Sequence, residues 1–166
     1  MILGLSVATF TIIHVLISLA AIAAGVVVVA AMLRIERAAG WTALFLALTL
    51  LTSLTGFLFP IKGFTPALGT GVISTAVLLV ALWALYVGRL QRVWRGIYVV
   101  TAVTALYLNV LVLIAQAFQK IPPLHSLAPQ GSEPPFLVAQ TIALVAFVVI
   151  GVLAVRRFRP PASLAI

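Results

Sequence analysis

Apolar residues run along the chain in five long stretches, at about 5–33, 41–59, 67–88, 97–119 and 136–155. A helix rises about 1.5 Å per residue, so crossing the hydrocarbon core of a bilayer takes about 20 apolar residues. All five stretches fall in that range or exceed it, and the first is long enough to tilt or protrude. None alternates polar with apolar positions, as a barrel strand would. Lipid offers no partner to a backbone group, so uninterrupted runs of this kind are helices. The pattern predicts an all-α fold: one membrane domain, residues 1–166, built as a polytopic bundle of five transmembrane helices.

The interruptions are short. Arg34, Glu36, Arg37 and Gly40 divide the first two stretches, and Pro60, Lys62, Gly63 and Pro66 the next pair. Arg89, Arg92 and Arg95 divide the third from the fourth, and a loop at 120–135 divides the fourth from the fifth. Arg156, Arg157 and Arg159 follow the last. No basic segment precedes the first apolar run, which is also far longer than a leader needs, so it reads as a retained helix.

Composition agrees with this picture. Of 166 residues, 64% are hydrophobic and 7% charged, where a soluble domain carries roughly a quarter charged. The two acids, Glu36 and Glu133, are too few to surface a water-soluble fold. A net charge of +8 raises the question of nucleic acid, but the positive residues sit in short clusters between apolar runs. There they act as topology signals and lipid-headgroup anchors. Arg34, Arg37, Arg89, Arg92, Arg95, Arg156, Arg157 and Arg159 fall on one side of the bundle, against Lys62 and Lys120 on the other. A bias of eight to two makes the arginine side cytoplasmic, which puts the N-terminus outside and the C-terminus inside. Trp41 and Trp94 stand beside these clusters as interfacial aromatics do. With no cysteine there is no disulfide, thiolate ligand or Cys nucleophile.

Orientation fixes depth, and depth separates the polar residues. The inner halves of the spans hold little beyond Thr42, Thr49, Thr101, Thr104 and a few tyrosines. The outer halves hold Thr9, Thr11, His14, Ser18, Thr52, Ser53, Thr55, Thr70, Ser74, Thr75, Asn109, Gln116, Gln119, Gln140 and Thr141. His14, Ser18, Ala21 and Gly25 share one face of the first helix, as Asn109, Gln116 and Lys120 do on the fourth. Such groups cost several kcal/mol if buried unpaired, so they are expected to face the bundle interior or a wet cavity. Ser, Thr, Asn and Gln also serve as ordinary interhelical glue, and that alternative stays open. His14 is the one ionisable residue deep in a span, a functional candidate by its position.

The loop KIPPLHSLAPQGSEPP, 120–135, has five prolines and reads as a semi-rigid cap. It holds His125 and Glu133, which with Lys120 could face the polar cluster from above; a plain connector is the other account. GTGVIS at 69–74 imitates part of a dinucleotide fingerprint but opens a membrane helix with no strand before it. Its glycines, like the Ala21–Gly25 pair, favour close helix approach instead.

The run LYLNVLVLIAQAFQK from Leu106, followed by PPLHSLAPQGSEPPF, together with GFLFP at 56–60 and WRGIYVV from Trp94, resembles a family of small uncharacterised bacterial integral membrane proteins. That resemblance implies a bacterial inner (cytoplasmic) membrane and no particular mechanism.

Function is then expected from the outer cluster: His14, Ser18, Asn109, Gln116, Lys120, His125, Glu133 and Gln140 are the ligand-binding candidates. The first expectation is a binding or accessory protein that engages a ligand or a partner membrane subunit there. The second is a haem- or quinone-handling redox component using His14, which lacks a second intramembrane histidine as a co-ligand. The third is a small transporter or channel acting as a homo-oligomer, which the bare inner half disfavours. No catalytic constellation and no metal-ligand pair at helical spacing is visible, so a binding role fits better than an enzyme.

Overall fold

In a computed structural model, which describes residues 1–36, 38–60, 63 and 66–159, each apolar stretch forms a helix. Helix α1 spans Val7–Leu33, α2 Ala39–Phe57 and α3 Pro66–Leu82, the last continued by a π-helical turn at Trp83–Val87. Helix α4 spans Val93–Lys120, α5 is the short turn Pro122–His125, and α6 spans Pro134–Arg157. Counting α3 with its π turn, five are long and apolar enough to cross a membrane. Arg37 and Lys62 lie outside the described residues.

Local chemistry sets the ends. Ser6 caps α1, its hydroxyl accepting from Thr9 N–H at 3.1 Å. Prolines open α5 and α6, where a missing N–H costs nothing because first-turn donors have no helical partner. The proline-rich loop thus contains a helical turn, α5, that its composition did not announce. At the other end of α3 the chain widens into the π turn, with Gly88 N–H donating to Trp83 O at 2.9 Å. A side chain at Gly88 would run into the Trp94 ring, so only glycine lets α4 start beside this turn. Arg89, Leu90 and Arg92 then take positive φ (47°, 56° and 48°) in a tight reversal.

Helix α4 is the central element, in contact with α1, α3, α5 and α6, while α2 packs on α1 and α3. The continuous core lies toward the arginine end and includes Val28, Met32, Phe45, Leu78, Tyr98, Val99 and Leu106. Helices α1, α2 and α4 come closest at Gly25, where a Cβ would lie 2.7 Å from Leu106 Cδ1 and 2.8 Å from Phe45 Cε2. Small residues admit such backbone approach, and Ala21 and Ala24 on the same stretch are fully buried. Arg95 Nη1 donates to Phe158 O at 2.9 Å, which ties the start of α4 to the end of α6.

Helix α6 is peripheral. Of its residues only Ala154 is buried, and Leu137, Val138, Ile142, Val145, Val148, Val149 and Val152 are exposed. In water that surface would be an aggregation hazard, whereas hydrocarbon solvates it. The chain is accordingly a multi-pass membrane protein.

Candidate functional site

The half of the bundle away from the arginines is not filled. Helices α1 to α4 surround a cavity of about 680 Å³ there, with mostly apolar walls and a few polar groups. Volumes of that order suit small-molecule ligands. From α1 the wall takes Thr11, His14 and Ser18, from α2 Thr52 and Ser53, from α3 Thr70 and Ser74, and from α4 Asn109, Gln116 and Lys120. Val15 and Leu19 on α1 and Leu113 on α4 also line it, yet each is about two-fifths exposed (42%, 43% and 39%). These three apolar residues mark the seam between α1 and α4 on the cavity wall.

Five of the eight sequence-derived candidates, His14, Ser18, Asn109, Gln116 and Lys120, meet around this one cavity. The other three do not line it. Gln140 turns to another side of α4, where its Nε2 donates to Leu111 O at 3.1 Å. Glu133 folds back into its own loop, its two carboxylate oxygens accepting from the Gln130 and Ser132 backbone N–H groups at 2.9 Å each. These bonds, that from Gln130 first, hold its carboxyl below the usual glutamate range. His125 is exposed on α5. From the loop, Lys120 and Ile121 line the cavity. The arginines other than Arg37 gather at the opposite end, all exposed except the half-buried Arg95.

Most hydroxyls are satisfied within their own helix. Thr11, Ser18, Thr70 and Thr75 each donate to the carbonyl four residues back, at 2.7–2.8 Å. Polar bonds between helices are fewer. His14 Nδ1 lies 2.8 Å from Thr55 Oγ1, and Asn109 Nδ2 donates to the fully buried Thr49 at 3.2 Å. Phe59 holds the His14 ring edge-on, with centroids 5.3 Å apart and planes at 85°.

Two cavity-lining hydroxyls have no partner. Among the described residues, Ser74 Oγ and Thr52 Oγ1 are buried and form no hydrogen bond, and Ser74 is only 4% exposed. A buried polar group without a partner costs about 1–3 kcal/mol, so natural folds seldom keep one without a use. Depth in the sequence had marked both residues as polar but gave no reason to separate them from the self-bonded threonines. That distinction depends on the rotation of α2 and α3.

Among the described residues no three His, Cys, Asp or Glu side chains come together as a metal site would require. A second, smaller cavity of about 270 Å³ lies at the arginine end, between Glu36, Thr42, Arg89 and Tyr98. The chain matches no family model, no curated protein and no solved structure.

Proposed function

We propose that this protein binds a membrane-dissolved small molecule in the α1–α4 cavity, in the extracytoplasmic half of a bacterial inner membrane. The N-terminus is outside and the C-terminus inside, because eight of the ten Lys and Arg residues belong to the arginine end. The observation that carries the binding role is the pair of unpartnered hydroxyls, Ser74 and Thr52, on the wall of a cavity large enough for a ligand. Lys120 lines the cavity with a basic group, and the mostly apolar wall suits lipid-soluble molecules.

Native mass spectrometry and an absorption spectrum of protein extracted directly into lipid nanodiscs test this. A small molecule should travel with the wild-type chain and be lost from a Ser18→Phe variant, whose new ring would intrude on the cavity. Wild-type protein carrying nothing beyond bulk lipid would overturn the proposal. A haem or quinone spectrum would instead select the redox version, in which His14 contacts the cofactor.

A further inference from the structure

Thr55 is the hydrogen-bond partner of one His14 nitrogen, Nδ1. Its hydroxyl donates to the α2 carbonyls of Leu51 (2.7 Å) and Thr52 (3.1 Å), as helical threonines commonly do. A hydroxyl has one proton; when the two carbonyls take it, the same oxygen accepts toward His14 Nδ1, 2.8 Å away. In that arrangement Nδ1 is the N–H of the neutral ring and Nε2 its lone-pair nitrogen. Nothing among the described residues donates to Nε2. A lone pair on the cavity wall accepts hydrogen bonds and cannot give one.

We propose that the cavity selects a lipid-soluble ligand whose polar end carries a hydroxyl donor, bonded to His14 Nε2, with its apolar tail against the apolar wall at the α1–α4 seam. This rests on the cavity being a ligand site. A prenyl alcohol or the quinol form of a redox lipid satisfies the donor requirement. A quinone carbonyl, an ester or an ether oxygen does not. Ser74 and Thr52 are left for the ligand's remaining polar atoms. At the seam, Val15, Leu19 and Leu113 give the tail an apolar wall.

The test compares farnesol with farnesyl methyl ether, which share a tail and differ in the hydroxyl proton. Binding of each to the full chain in nanodiscs should favour the alcohol about tenfold, the worth of one hydrogen bond. A His14→Phe variant should bring the alcohol down to the ether's affinity and leave the ether unchanged. Nitrogen-15 spectra of the wild-type ring should show Nδ1 protonated and Nε2 bare, a readout that does not depend on how a variant folds. Equal affinities, or a protonated Nε2, overturn donor selection while leaving a ligand cavity in place. Failure of both probes to bind overturns the cavity reading and this inference with it.

Discussion

His14 on α1 and Thr55 on α2 meet at 2.8 Å, forty-one residues apart in the chain, through a hydroxyl already bonded to its own helix. One hydroxyl thereby serves two helices. Interhelical polar bonds in membranes are worth about 0.6–2 kcal/mol. A double-mutant cycle of His14→Phe and Thr55→Val, read by unfolding in detergent, should return a coupling of about 1 kcal/mol. Strict additivity would show that the bond contributes nothing to stability.

Gly25 and Gly96 both sit within helices, but only Gly25 is crowded. A methyl group at Gly25 meets Leu106 and Phe45, while nothing lies within 4 Å of one at Gly96. Gly25→Ala should lower stability by about 1–3 kcal/mol through overpacking. Gly96→Ala should be neutral or gain about 0.5–1 kcal/mol from the lost glycine freedom. Thermal melts of the two variants in one detergent separate these outcomes.

Gln140 makes one bond and leaves one atom stranded. Its Nε2 reaches Leu111 O, but its Oε1 is buried without a partner. Gln140→Leu loses the first and relieves the second, so stability should change by less than about 1 kcal/mol. A loss above about 2 kcal/mol would mean that the amide as a whole is well satisfied.

Glu133 gives the proline-rich loop a pH-dependent brace. Its carboxyl is held below the ordinary value by backbone N–H groups, Gln130 first, so the ionised form is the one that favours the folded loop. The contribution is complete above the ordinary glutamate pKa and is lost as pH falls through the lowered one. Protection of the Gln130 and Ser132 amides against hydrogen exchange, taken relative to the intrinsic rate at each pH, should fall over that acid window in wild type. In Glu133→Gln the protection should already be low at neutral pH and stay flat.

A chain without cysteine suits topology mapping. In whole cells an impermeant maleimide should label a Ser126→Cys variant and spare Gln91→Cys until the membrane is opened. The reverse pattern would invert the orientation assigned from the arginines.

The spans were legible because length and charge interruption are one-dimensional properties. Expected bounds of 5–33 and 136–155 became Val7–Leu33 and Pro134–Arg157. The largest miss was the start of α4, expected at 97 and found at Val93. Trp94 and Arg95 do not end a helix when the arginine can bond Phe158 O. The π turn had no signature either, since contact between Gly88 and Trp94 accompanies it. Depth sorted the polar residues, and His14, Ser18, Asn109 and Gln116 line one space. Gln140 shows the limit. Helix α6 is apolar nearly all round, so its sequence does not say which way it turns, and only its packing on α4 decides.

Among the described residues, every one lining the larger cavity lies between Val7 and Ile121, and α6 supplies none. The ribosome thus finishes the chamber's walls before it makes the last helix. A nascent chain of four inserted helices already has all the side chains of the chamber, and α6 docks afterwards onto one flank of α4. Biosynthetic order and spatial order coincide, with the chamber first and the lipid-facing buttress after it.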